Sequence, residues 1–170
     1  MNLYNDHARF DASNKIHSTA IIHDCVEMGK NNIIGAYSVI GGDGEIRGVE
    51  TFEGRVVIGD GNKISELVTI QRPQASGAVT IIGHNNIIMA HSHIGHDAVI
   101  GNGCELSSGC IIGGYAQIKG GAKIKLGVVV RNRKIVGYNA ICGMGAVVVK
   151  DVENGVTVIG NPAKHYLESL

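Results

Sequence analysis

Hydrophobic positions along this chain recur with a period of six. Taking every sixth residue from Ile22 gives Ile22, Met28, Ile34, Ile40, Ile46, Phe52, Ile58, Ile64, Ile70, Ser76, Ile82 and Ile88. The series runs on through Ile94, Ile100, Leu106, Ile112, Ile118, Ile124, Val130, Val136, Cys142 and Val148. Of these 22 positions only Ser76 is polar, where an apolar content of 44% would give about ten by chance. Gly or Ser often follows directly, as at Gly29, Gly35, Gly95, Gly101, Ser107 and Gly113. Four residues after the aliphatic comes another small or apolar side chain, such as Ser38, Ala98, Cys104, Cys110, Ala116, Ala122, Ala140 or Ala146.

Neither an α-helix nor simple strand alternation has this period. Each hexad predicts one short strand and one bend, with the aliphatic turned into a narrow core and the small residues letting the chain turn. Three hexads close a triangular coil, so residues about 18 apart stack on one another. The expected fold is all-β: a parallel β-helix built of hexapeptide repeats, in one domain spanning 1–170, with a short C-terminal tail. The repeat is broken by two polar, Gly-rich stretches, Gly42 to Arg55 and Arg72 to Gly77. Such interruptions project from a solenoid and often build its binding site. Beyond Val149 the pattern fades, and the residues from His165 on leave room for at most a short turn of helix.

Composition agrees with that architecture. Ile and Val number 23 and 18 against 6 Leu, Gly reaches 25 of 170, and Trp is absent. β-Branched side chains suit pleated strands and Gly suits frequent turns, which excludes a helical bundle. The 15 basic and 15 acidic residues cancel, and no Lys/Arg block offers a nucleic-acid surface. No apolar run approaches the roughly 20 residues of a membrane span, and Met1–His7 lacks the apolar core of a signal peptide. A cytoplasmic location is expected. Cys25, Cys104, Cys110 and Cys142 contain no close CxxC pair and read as small apolar residues.

Three of the eight His lie within Met89-Ala90-His91-Ser92-His93-Ile94-Gly95-His96-Asp97. Because Ile94 points inward, His93 and His96 fall off the core-facing positions. Asp97 is placed to orient His96, and one coil of three hexads brings Gly114 directly above it. A base beside an open glycine N–H is the equipment of acyl transfer: one takes a proton from the attacking atom, the other holds the oxyanion. Further along, Gly160-Asn161-Pro162-Ala163-Lys164 forms a Gly/Pro turn with a basic residue.

The stretches Ile58–Arg72 and Ile82–Asp97 resemble the acyl-carrier-protein-dependent UDP-N-acetylglucosamine O-acyltransferases of lipid A synthesis, and the similarity runs from about Ile40 to Val152. That resemblance implies a left-handed helix and a homotrimer with sites between subunits. It also implies His96 as general base, Gly114 as oxyanion donor and His93 as a substrate contact. The family's sugar-contacting His after V-T-I is replaced by Gln71, and the His after the oxyanion glycine by Tyr115. The excursion's Asp and Lys are replaced by Ile46 and Gly48, with Glu45 and Arg47 adjacent. Gln71, Arg72, Glu45 and Arg47 are therefore the candidate substrate-facing residues. The tail, from Gly143 to Lys164, is similar to the closing coils of coenzyme-A-dependent hexapeptide acetyltransferases, which implies that Asn161 and Lys164 lie along the cofactor, with Tyr115 and Asn132 as pantetheine or acyl contacts.

The function expected is transfer of an acetyl or other acyl group from coenzyme A to a hydroxyl or amine of a nucleotide-linked sugar. The alternative donor is an acyl carrier protein. Neither donor is a resident cofactor, and no metal is expected. Two readings from other classes are a γ-carbonic-anhydrase-like zinc enzyme, suggested by the spacing of His91 and His96, and a non-catalytic scaffold.

Overall fold

The structure is a computed structural model that describes residues 10–166, so Met1–His7 and the residues after Tyr166 lie outside it. It is a left-handed parallel β-helix. Two-residue strands alternate with bends and stack into three flat walls of nine, seven and six strands. Wall A begins with Lys15–Ile16, Ile33–Ile34 and Lys63–Ile64; wall B with Ile21–Ile22, Val39–Asp43 and Thr69–Arg72; wall C with Val26–Met28, Arg55–Ile58 and Val79–Ile82. Between the excursions' coils and the shortened last coil, pairing is parallel in a register of three hexads, His93 with Ile111 and Val99 with Gln117, as it is for Lys15 with Ile33 in the first coil. In the last coil Ile141 pairs with Thr157, 16 residues on.

The second residue of each two-residue strand from Ile33–Ile34 to Val147–Val148, and the last residue of Arg55–Ile58 and Val79–Ile82, enters the core. Ile34, Ile64, Ile88, Leu106 and Ile124 form one buried column, Ile40, Ile70, Ile94, Ile112 and Val130 a second, and Ile58, Ile82, Ile100, Ile118 and Val136 a third. Burying each such side chain stabilises the fold by about 1.5–3 kcal/mol against leaving it exposed. The small residues four positions later are buried as expected at the three corners, Ser38, Ala98, Cys104, Cys110, Ala116 and Ala122 among them. Burial of Cys110 and Cys142 pushes their thiols up to about 11 and about 12, which keeps them protonated and inert.

Two coils exceed the regular length. Ile34 pairs with Ile64 and Ile64 with Ile88, steps of five and four hexads in place of three. The surplus forms the two excursions, which leave wall B after Asp43 and Arg72 and rejoin wall C at Arg55 and Val79. They lie against each other: the N–H groups of Glu53 and Gly54 donate to the carbonyls of Gln74 and Pro73 at 2.9 and 3.0 Å. A Cβ on Gly54 would fall 2.6 Å from Pro73, so the contact requires glycine. Ile46 and Phe52 fit the six-residue count yet belong to the excursion rather than to a coil.

The terminal turn of helix expected from His165 on falls mostly on residues after Tyr166, outside the described residues. Lys164–His165 runs back antiparallel along Thr157–Ile159, closing a hairpin over Gly160 to Ala163. Among the described residues no helix is long and apolar enough to cross a membrane.

Candidate active site

His93 opens the wall B strand His93–Ile94, and His96 stands at the bend between that strand and Val99–Ile100 of wall C. The same bend in the next coil is Gly113-Gly114-Tyr115. An ideal Cβ on Gly114 would sit 2.7 Å from His96 Nε2, so only a glycine leaves this imidazole face open. The Gly114 N–H donates to no acceptor among the described residues, whereas the N–H groups of Gly113 and Tyr115 are spent on the carbonyls of Val130 and His96.

The other side of the ring is fixed. Asp97 Oδ2 lies 2.7 Å from His96 Nδ1, with both side chains largely withdrawn from solvent. A carboxylate at Nδ1 takes the Nδ1–H and leaves Nε2 as the acceptor facing Gly114. Asp97 adopts φ +59°, and its own N–H donates to Thr80 Oγ1 at 2.8 Å, which pins the bend from the coil below. Tyr115 meets the imidazole edge-on, centroids 5.1 Å apart at 89°, and the Arg133 guanidinium lies 4.1 Å over the tyrosine ring.

These groups border a cleft of about 400 Å³ lined by Glu45, Gln71, His93, His96, Gly114 and Asn132, together with Gly95, Ile111 and Gly113. The first excursion supplies Glu45, and its Gly44 backs onto His96, where a Cβ would meet His96 Cβ and Phe52 at 3.0 Å. His93 Nδ1 is 2.8 Å from Thr69 Oγ1. Burial pushes the His93 pKa below its usual value, against the charge of Glu45, which pulls it up, while His96 adds to the lowering.

The structure thus gathers His96, Asp97, Gly114, His93, Gln71, Glu45 and Asn132, with Tyr115 against the His96 ring. Two of the expected substrate-facing residues stand outside the cleft lining. Arg72 does not line the cleft: its Nε pairs with Asp43 Oδ1 at 2.7 Å and it also bonds Cys25, tying the root of the excursion to the solenoid. Arg47 stays exposed on the excursion, outside the cleft lining. Asn161 and Lys164 sit on the terminal hairpin, where Lys164 shares a second cleft of about 330 Å³ with Lys150 and Asp151. The hexad pattern by itself does not single out Thr69, Thr80, Gly113 or Arg133. Counting back one enlarged coil from His93, four hexads, finds Thr69. His91 stands at the opposite end of the strand from His96, outside the cleft, and among the described residues no three His, Cys, Asp or Glu gather to hold a metal.

A model of the bacterial transferase hexapeptide (six repeats) matches residues 80–114, the segment that carries His93, His96, Asp97 and Gly114. The acyl-[acyl-carrier-protein]–UDP-N-acetylglucosamine O-acyltransferase of Pseudomonas savastanoi pv. phaseolicola is 39% identical over 136 residues, 79% of this chain and 53% of that protein. Among solved structures, the UDP-N-acetylglucosamine acyltransferase of Bacteroides fragilis superposes with a TM-score of 0.87 at 32% identity, covering 91% of this chain and 60% of the other. That of Francisella novicida gives 0.72 at 30%, over 92% and 68%. The chain belongs to the hexapeptide-repeat acyltransferases. This hexapeptide-repeat chain spans about half the length of the curated relatives it matches.

Proposed function

We propose that the chain, as one solenoid domain over 1–170, transfers an acyl group from a phosphopantetheine thioester to a nucleotide-linked sugar. The observation that carries this reading is the unbonded Gly114 N–H beside Nε2 of a His96 whose Nδ1 is held by Asp97. In the reaction His96 takes the proton of the attacking oxygen or nitrogen, and the Gly114 N–H holds the oxyanion of the tetrahedral intermediate. The intermediate collapses with loss of the thiolate, which recovers the proton from His96. Glu45, Gln71 and His93 face the acceptor.

Coenzyme A is the donor favoured by the bend above the base. Asn132 and Lys150 follow Gly114 at steps of three hexads, and Lys150 meets Lys164 in the second cleft. At about 4.8 Å per coil this track runs about 14 Å from His96 to two ammonium groups suited to phosphate. An acyl carrier protein is the second reading, supported by what the relatives are named to use.

A homotrimer, cytoplasmic like its donor, completes the reading. Outward positions of walls B and C are mostly apolar, with Val39, Ile111, Val129 and Val147 on one and Val57, Ile81, Val99 and Ile135 on the other. Wall A mixes Lys15, Lys63, Glu105 and Lys123 with Ile33, Ile87 and Ile141 at its outward positions. Walls B and C meet at the His96 bend, so a threefold ring pairing them would set each cleft beside a neighbouring subunit.

The deciding experiment is thiol release from acetyl-coenzyme A and from acyl-acyl carrier protein in the presence of UDP-sugars. Turnover that falls about 10²–10⁴-fold in His96→Ala, with the oligomer intact by sedimentation, is the expected result. Wild-type rates in that variant would reject the assigned base, and no turnover with either donor would reject the reaction.

A further inference from the structure

We propose that the acceptor is a primary amine, carried into the cleft as its ammonium ion by Glu45 and relieved of its two protons by His93 and then His96. This assignment rests on the acyl-transfer reading above and narrows its substrate class.

Charge points to an ammonium. Glu45 borders both the main cleft and an adjoining hollow of about 170 Å³ shared with Asp43, Thr69, Gln71 and His93. Asp43 is already matched by Arg72. Glu45 has no Lys or Arg within ion-pair distance among the described residues, and no Lys or Arg lines either hollow. The acceptor end of the cleft therefore carries one uncompensated carboxylate. A hydroxyl brings no charge to answer it; an alkylammonium does, through charge-assisted hydrogen bonds.

The cleft also holds the bases that an ammonium requires. A hydroxyl loses one proton in acyl transfer and needs one base. An ammonium must lose one proton to become a nucleophile and a second as the amide forms. The cleft holds two imidazoles, and they are differently equipped. His96 is tied to Asp97 and faces Gly114. His93 Nδ1 meets Thr69 Oγ1, and in the tautomer whose Nδ1–H donates to that hydroxyl, Nε2 is the ring nitrogen that takes a proton. Its burial keeps it neutral and able to accept.

The steps then balance. The ammonium gives one proton to His93 Nε2, which passes it to water. The freed nitrogen lone pair attacks the thioester carbonyl carbon, forming the C–N bond, and the carbonyl oxygen takes the negative charge beside the Gly114 N–H. His96 Nε2 removes the second N–H proton. The carbonyl re-forms, the C–S bond breaks, and the departing thiolate takes the proton from His96. Ammonium and thioester give amide, thiol and one proton to solvent.

The test compares sugar pairs that differ at one atom: UDP-glucose with UDP-glucosamine, and UDP-N-acetylglucosamine with its 3-amino-3-deoxy analogue. Each is offered to the full chain with acetyl-coenzyme A or acyl-acyl carrier protein, and thiol release and product mass are recorded. At least one amine is expected to exceed its hydroxyl twin by about 100-fold or more in kcat/KM. Glu45→Gln, an exposed site whose change leaves the fold alone, should raise KM for that amine about tenfold and affect any hydroxyl reaction far less. Hydroxyl sugars turned over as well as amines, or a Glu45→Gln effect shared equally by both, would overturn the amine assignment while acyl transfer stands. Failure of all four sugars with both donors would overturn acyl transfer itself, and the amine assignment with it.

Discussion

The lower and upper coils of this solenoid solve the same corner in different ways. Where wall C turns into wall A, the lower coils carry Asn14, Asn32, Asn62 and Asn86; the upper coils carry Cys104, Ala122 and Ala140 at the equivalent positions. The asparagines form a ladder. Asn32 Oδ1 accepts from the backbone and side-chain nitrogens of Asn62 at 2.8 and 3.0 Å, and Asn62 Oδ1 accepts from those of Asn86 at 2.9 and 3.0 Å. The last rung is the Cys104 N–H on Asn86 Oδ1 at 2.7 Å. This ladder starts in the regular first coil, where Asn14 Oδ1 accepts from Asn32, runs through both coils that carry the excursions, and stops at Cys104. Regular coils align through the fit of identical shapes. A coil interrupted by extra hexads gains a directional link to the coils above and below it.

The His96 bend sits at the boundary of the two regions. Glu45 reaches it from an excursion below, and Gly114 from the regular coil above. The comparison can be broken hardest at that junction. Gly114→Ala puts a methyl group against His96 Nε2 and should cut kcat about 10²–10³-fold while thermal unfolding stays near wild type. A matching loss of melting temperature would mean that the glycine serves the fold instead. Next in size is the ladder itself. Asn62→Ala removes a buried acceptor from Asn86 and a donor from the carbonyl of Gly83, and should cost roughly 2–4 kcal/mol in denaturant unfolding. The same truncation at the equivalent corner of the upper coils, Cys104→Ala, deletes a single buried sulfur and should cost about 1 kcal/mol. Equal costs would erase the distinction between the two regions.

The smallest effect concerns acid. Burial lowers the pKa of both His23 and His93 in the folded chain, so the unfolded chain binds protons first as pH falls. Stability should be complete above about 6.5, decline as pH drops below it, and level off once the folded imidazoles also titrate. His93→Gln should flatten part of that decline in equilibrium unfolding between pH 7 and pH 5.

Much of this is legible in the chain because each inward position asks for one kind of side chain in every hexad. His93, His96 and Gly114 emerge from stepping forward one coil and discarding core positions. What stays hidden has physical causes. Asn32, Asn62 and Asn86 occupy inward positions but satisfy each other, so a reading that scores inward sites by apolarity passes over them. Ile46, Phe52 and Ser76 keep the sixfold count through the excursions because each insertion is itself a whole number of hexads, two in the first and one in the second. Arg72 reads as a substrate contact because its partner, Asp43, is 29 residues distant and paired only by a bulged register after Ile40. Glu45 is identified by its adjacency to a family position, not by any period of its own.

The reversed strand at Lys164–His165 has a consequence for self-association. The inner rungs of wall A are paired on both sides, so among the described residues open backbone groups lie at the two ends of the stack, where an unprotected sheet margin is a hazard. The final rung runs the other way and presents two exposed, basic residues. Another copy arriving head-on would find its hydrogen-bond spacing mismatched there, so the turnabout acts as a stopper against filament growth.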